Sequence, residues 1–200
     1  MIEIVNLLHE IGMLSSIPRS GFAFLGSGKQ SVAEHSFRVT LIAYVLARLV
    51  EYPIDTQKLV MMCLFHDFPE ARLGDLNYFQ KKYVTPKLDQ ALEDLTSSSF
   101  LGPDIVAWIQ EYEEGKSIEA RLAHDADQLE LLLVLKQQQE LGNGRAGEWK
   151  ENLLKRLRTD EGKKMGESIW QTPSDAWWVQ DRSDSHWIDG GKSKAKEKPD

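Results

Sequence analysis

Cysteine is almost missing from this chain. Cys63 is the single one in 200 residues, so no intrachain disulfide can form and the fold must rest on its core. It lies in the run Val60-Met61-Met62-Cys63-Leu64-Phe65, where a thiol behaves as a small buried hydrophobe. Such sparse use fits a reducing compartment. No apolar run approaches the roughly 20 residues that span a bilayer. The opening Met1-Ile2-Glu3-Ile4-Val5-Asn6 has neither the basic flank nor the long apolar core of a signal peptide. A cytoplasmic protein with no membrane partner is therefore expected. Positive charge is also in deficit: 24 Lys and Arg against 31 Asp and Glu leave a net −7. An acidic surface repels phosphate backbones, which argues against nucleic acid. An anionic ligand would need a metal or a few placed basic residues. Alternating apolar patterns are absent, so nothing argues for a sheet.

What remains is a helical text of ordinary globular composition, 42% hydrophobic. Its length suits one domain with a trailing appendage. Ile4, Leu7, Leu8, Ile11 and Leu14 recur at helical spacing. The stretch from Ile17 to Lys29 holds Pro18, Gly21, Gly26 and Gly28 and reads as a loop. Ser31 and Glu34 fit a capping box that opens a long helix, and Pro53 follows its end. Asp55 is a plausible N-cap for a helix carrying Leu59, Met62, Cys63 and His66. Pro69 must break or kink the chain just beyond His66-Asp67. Residues 75–84 are ambiguous, and 86–98 and 103–114 read as helices. Ser117 caps a long helix reaching Leu141, and two shorter helices follow near 147–158 and 160–170. From Thr172 onward Trp177, Trp178 and Trp187 are scattered among polar residues, in a tail able to drape over the core. Gly190 to Asp200, rich in Lys and Gly, reads as disordered and solvated.

The chemistry-bearing residues fall on three of these helices. His35 shares a face with Val39, Ile42 and Leu46; His66 with Leu59, Met62 and Cys63; Asp127 with Ala123, Leu131 and Val134. All three therefore point inward. A buried carboxylate needs a partner, and one divalent cation could serve both imidazoles together with Asp67 and Asp127. Spacing alone leaves hydrogen-bonded core histidines as an alternative. His124 competes for a ligand role near Asp127, although Arg121 and Gln128 on its face place it nearer the surface. His9 reads as structural and His186 as solvated.

Ser31-Val-Ala-Glu-His35, Leu64-Phe-His66-Asp67-Phe-Pro-Glu70 and Ala126-Asp127-Gln128 together resemble the HD-domain metal-dependent phosphohydrolases, in particular the YfbR-like 5′-deoxynucleotidase branch. Ile17-Pro-Arg19 and Gly74-Asp75-Leu76 extend the resemblance, which covers roughly residues 5–135. It implies an all-α helical bundle over residues 1–170 with a partly irregular C-terminal extension over 171–200. It implies one divalent ion held by His35, His66, Asp67 and Asp127. That mixed donor set suits Mn²⁺, Co²⁺, Fe²⁺, Zn²⁺ or Mg²⁺. By the same resemblance Glu70 would handle the proton of the attacking water or of the leaving oxygen. Arg19 would grip the phosphate, and Asp75 would read the sugar hydroxyl. The implied reaction is hydrolysis of a deoxyribonucleoside 5′-monophosphate, by a homodimer. Other HD chemistries on diesters or nucleoside triphosphates stay open, as does a metal-stabilised interaction module without turnover. Two departures touch specificity. The bacterial enzymes place a tryptophan after the arginine, where this chain has Ser20-Gly21-Phe22. They continue with prolines where this chain has Asn77-Tyr78-Phe79-Gln80.

Overall fold

The computed structural model describes residues 1–179, 181 and 183–190. Helices follow one another without a strand among these residues: α1 (Ile2–Gly12), α2 (Phe22–Leu25), α3 (Val32–Leu49), α4 (Thr56–Phe65), α5 (Glu70–Leu73), α6 (Leu88–Thr96), α7 (Gly102–Glu114), α8 (Ile118–Glu140), α9 (Gly144–Arg156), α10 (Asp160–Gln171) and α11 (Ser185–Asp189). None is long and apolar enough to cross a membrane.

The starts of the central helices are written in single residues. The Ser31 hydroxyl accepts from the Glu34 N–H while the Glu34 carboxylate accepts from the Ser31 N–H, so the capping box of α3 is complete. Asp55 caps α4 through the Lys58 N–H, and Ser117 caps α8 through the Ala120 N–H. Gly115 ends α7 at φ +60°, in the left-handed region that a side chain rarely adopts.

α3, α4 and α8 pack on one another, and α7, α9 and α10 lean on α8 from outside. Their interface is a hydrophobic cluster that includes Leu46, Leu59, Met62, Leu122, Leu129 and Leu132, all fully buried. A second cluster around Leu7, Val32, Phe68, Leu95 and Ile105 joins α1, α6 and α7 beneath the turn that follows α4. Burying several such side chains, at roughly 1.5–3 kcal/mol each, fixes the three central helices rigidly. His35 rides on α3 and Asp127 on α8, and His66 caps the end of α4.

Three local readings change. The glycine-rich loop contains the short helix α2, closed by Gly26 at φ +77°. The segment 75–84 settles as loop with a 3₁₀ turn at Gln80–Lys82. The tail does not drape its tryptophans over the core. Trp177 is 77% exposed, and Trp178 packs instead against Trp177 and Trp187. The Lys-rich stretch beyond Gly190 lies outside the described residues, so the reading of disorder there goes untested.

Candidate metal centre

α4 ends at Phe65, and His66 is its C-cap. The chain turns through residues 66–69 and restarts at Glu70. Pro69 lacks an N–H and cannot continue the α4 ladder, so the break falls where the polar residues must leave the helix axis. This turn delivers His66, Asp67 and Glu70 to one place, opposite His35 on α3 and Asp127 on α8.

One ligand atom each from His35, His66 and Asp127 lies within 4.8 Å of the others. Asp67 Oδ2 joins them, 3.2 Å from His66 Nε2 and 3.6 Å from His35 Nε2. His35 Nε2 stands 3.2 Å from Asp127 Oδ1. Both Nε2 atoms are buried and lack a hydrogen-bond partner of good geometry. Their other nitrogens are occupied: His66 Nδ1 contacts the Cys63 carbonyl at 2.8 Å, and His35 Nδ1 contacts Glu130 Oε2 at 2.6 Å. Two buried imidazole nitrogens that converge on two carboxylates without bonding them fit a cation held between them.

The electrostatics agree with that reading. Burial pushes the Asp67 carboxyl up, but His66, Arg19 and His35 together hold it below the ordinary carboxylate range. Asp127 is held low in the same way by His35, His66 and Arg19. Burial works against protonation of His66, yet Asp67 and Asp127 raise its pKa to about 9. Without a cation the cage therefore collects protons, as a cluster of anionic donors must.

Arg19, Asp75 and Glu70 stand beside these groups. Arg19 Nη1 donates to Asp67 Oδ2 at 3.2 Å, and Arg19 Nε lies 3.9 Å from Asp75 Oδ2. Asp75 Oδ2 also accepts from the Ser20 N–H at 2.7 Å, which ties the arginine loop to the loop after α5. Glu70 has one buried, unpartnered oxygen. Burial, then Asp67 and Asp75, raise its pKa to about 8. Beyond these groups opens a cleft of about 610 Å³, lined by Arg19, Asp75 and Asp127 at one end and by Phe22, Tyr78 and Trp149 among its aromatic wall. Phe22, three residues after Arg19, thus brings an aromatic ring to this cleft.

His124 is no part of the cage. Its Nε2 contacts the Tyr112 carbonyl at 2.8 Å and its ring stacks on Tyr112. His9 and His186 are exposed elsewhere. Two further carboxylates of α8 are buried outside the cage. Asp125, fully buried, accepts from the N–H groups of Arg158 and Thr159 and from the Thr159 hydroxyl, joining α8 to α10. Glu130, fully buried, backs His35. The available signal was a carboxylate three residues after Asp127, set in an apolar helical run.

Comparison with known proteins gives the same picture. A 5′-deoxynucleotidase HDDC2 of Dictyostelium discoideum is 31% identical over 135 residues, covering 61% of this chain and 70% of its own length. The bovine 5′-deoxynucleotidase HDDC2 is 25% identical over 147 residues, 70% of each protein. A cyanophage S-2L HD phosphohydrolase, solved with dA and one catalytic Zn²⁺, shares the fold at TM-score 0.54 and 21% identity, over 82% of this chain and 96% of that one. The model of the HD domain family matches residues 11–170, which takes in both histidines, the His66-Asp67 pair and Asp127. With that match and this cage, the chain belongs to the HD-domain family.

Proposed function

We propose that this chain is a metal-dependent phosphohydrolase that releases phosphate from deoxyribonucleoside 5′-monophosphates. The observation that carries the reading is the pair of buried, unpartnered Nε2 atoms of His35 and His66 facing Asp127 and Asp67, with Asp127 and Arg19 also lining an open cleft. His35, His66, Asp67 and Asp127 would hold one divalent ion, and the donor set alone does not choose among Mn²⁺, Co²⁺, Fe²⁺, Zn²⁺ and Mg²⁺. Such an ion polarises a phosphoryl oxygen and acidifies water, the two things that hydrolysis of a phosphate monoester needs most. The relatives named 5′-deoxynucleotidase support the substrate class.

The chain's own residues do the rest. Arg19 presents a planar fork of N–H donors to the phosphate, and Asp67 and Asp75 hold the guanidinium in place. Burial works against its charge, but those two carboxylates together with Asp127 and Glu70 keep it protonated. Glu70, raised to about 8, holds or gives up a proton near neutrality, which suits a group that takes a proton from water or hands one to the leaving oxygen. Asp75 lines the cleft beside Arg19, and its carboxylate could accept from a sugar hydroxyl. The aromatic wall offers stacking surface to a base.

The test is phosphate release from a panel of deoxy- and ribonucleoside monophosphates. Metal-stripped protein is supplied in turn with Mn²⁺, Co²⁺, Mg²⁺ and Zn²⁺, beside His66→Ala and Asp67→Ala. Metal-dependent release that prefers deoxyribose and disappears in both variants is the expected result. Pyrophosphate or triphosphate release from nucleoside triphosphates, with monophosphates untouched, would move the assignment to another HD chemistry.

A second copy of the chain is the protein partner we propose. The outer side of α3 carries Phe37, Leu41 and Tyr44, each at least half exposed. Three large apolar side chains at helical spacing on one side are more than scattered surface residues. Light scattering should report a dimer that Leu41→Glu converts to monomer.

A further inference from the structure

We infer that Glu130 is a positioning residue that fixes the tautomer of His35, so that its Nε2 is presented as a metal donor. The inference rests on the metal site proposed above and concerns a residue outside the ligand set.

The geometry is a relay from the protein surface to the cage. Glu130 sits one turn after Asp127 on α8, so the two carboxylates share a helix side. Asp127 Oδ1 faces His35 Nε2 at 3.2 Å, and Glu130 Oε2 faces His35 Nδ1 at 2.6 Å. The ring is thus clasped at both nitrogens by one helix. Neither His35 nor Glu130 has any solvent exposure, so no water competes for these contacts. The other oxygen of Glu130 is taken as well. Oε1 accepts from Gln30 Nε2 at 2.7 Å and from Arg38 Nε at 2.9 Å, with Arg38 Nη2 at 2.7 Å.

These contacts dictate the tautomer. A carboxylate only accepts hydrogen bonds. Facing Nδ1 at 2.6 Å, Glu130 requires the proton to be on Nδ1, which leaves the Nε2 lone pair aimed into the cage. A buried carboxylate is also costly unless its lone pairs are filled, and Arg38 with Gln30 fill them. Arg38 and Gln30 therefore keep Glu130 in place, and Glu130 keeps His35 in its donor form. A metal-ligating histidine commonly has such a partner on its far nitrogen.

Glu130→Gln is the informative substitution because it keeps the volume and changes the logic. Arg38 has donors only, so it will keep the amide oxygen for itself. The amide NH₂ then faces His35 Nδ1, which must accept, and the proton moves to Nε2. The metal-stripped protein is examined first, at a pH where the ring is neutral. Nitrogen-15 shifts of His35 should report Nδ1–H in the parent and Nε2–H in Glu130→Gln. Titration of both with Mn²⁺ alone should show affinity lower by about 10–100-fold in the variant. Arg38→Met tests the same relay from its exposed end, where a substitution leaves the core packed; it should lose affinity in the same direction. An unchanged tautomer in Glu130→Gln, or unchanged Mn²⁺ affinity in both variants, would overturn the inference. A parent that fails to bind Mn²⁺ would sink the metal reading instead, while the tautomer comparison would still decide the role of Glu130.

Discussion

Arg19 and Asp67, 48 residues apart in sequence, share a hydrogen-bonded ion pair of 3.2 Å. One member belongs to the loop before α3 and the other to the metal cage, so the group proposed to grip phosphate is held by a group proposed to hold the metal. Arg19→Lys keeps the charge but loses the planar fork, and a single ammonium cannot reproduce both the contact to Asp67 and the approach to Asp75. We predict that Arg19→Lys raises KM for a nucleoside monophosphate by about 10-fold, and that Arg19→Ala costs about 100-fold or more in kcat/KM. Steady-state kinetics with saturating metal checks this. Equal parameters for all three proteins would remove Arg19 from phosphate binding.

Metal and protons should compete for the cage. In the metal-free protein Asp67 and Asp127 raise the His66 pKa to about 9, and Asp127 and Glu130 raise that of His35, in each case against burial. A metal must displace those protons. Apparent Mn²⁺ affinity should therefore climb from pH 6 toward pH 9, by up to about tenfold per pH unit for each proton displaced. Titration calorimetry in two buffers of different ionisation enthalpy counts the protons directly. An affinity that is flat across that range would mean that the histidines are already neutral, and that the carboxylates do not hold protons on them.

Much of this site could be read from the sequence because its elements begin and end on single residues. Ser31, Asp55 and Ser117 cap the three helices that carry the ligands, and apolar neighbours at helical spacing give the inward direction of His35, His66 and Asp127. Glu130 was only faintly legible, as a carboxylate in an apolar helical run, because its role depends on distant partners: Gln30, His35 and Arg38, 100, 95 and 92 residues away. Helix α2 was missed for a different reason. Four residues between glycines carry too little periodicity to outweigh the turn signals, and α2 exists because the loop closes on Gly26 and Asn143, whose amide donates to the Leu25 carbonyl. The exposed tryptophans defeated the inference from composition to burial. Their rings are satisfied by one another rather than by the core.

Glu70 should leave a signature in stability as well as in rate. Its pKa rises from an ordinary 4.5 to about 8, first through burial and then through Asp67 and Asp75. Below pH 4.5 both folded and unfolded chains carry the proton, so there is no differential. Between 4.5 and about 8 the folded chain keeps a proton that the unfolded chain has released, so this group makes stability fall as pH rises, with the full cost reached above 8. Glu70→Gln carries no such cost. In metal-stripped protein the variant should match the parent near pH 4.5 and exceed it by on the order of 1–3 kcal/mol at pH 9, allowing for partial solvent access. Urea melts at both pH values measure this difference. A gap that does not grow with pH would place Glu70 in water rather than in the cage.

A buried joint ties α8 to the start of α10. Asp125 lies two residues before Asp127, is fully buried, and accepts from Arg158 N at 2.7 Å, Thr159 N at 2.8 Å and Thr159 Oγ1 at 2.5 Å. Thr159 in turn caps α10 through the Gly162 N–H. Gly162 packs so closely on the Asp125 carboxylate that a Cβ there would overlap it. Alanine is ordinarily the better helix former by about 1 kcal/mol, so an exposed glycine in this helix would gain from the change. At Gly162 the methyl group must instead push the carboxylate off its three donors and leave buried N–H groups unpaired. Gly162→Ala should therefore destabilise by about 2–4 kcal/mol. Gly144→Ala, at the start of α9 with open space around it, should stay near the parent. Urea unfolding of both variants decides the matter. A stable Gly162→Ala would mean that α10 can shift away from α8, and that the Asp125 joint does not hold the helix on which Asp127 and Glu130 stand.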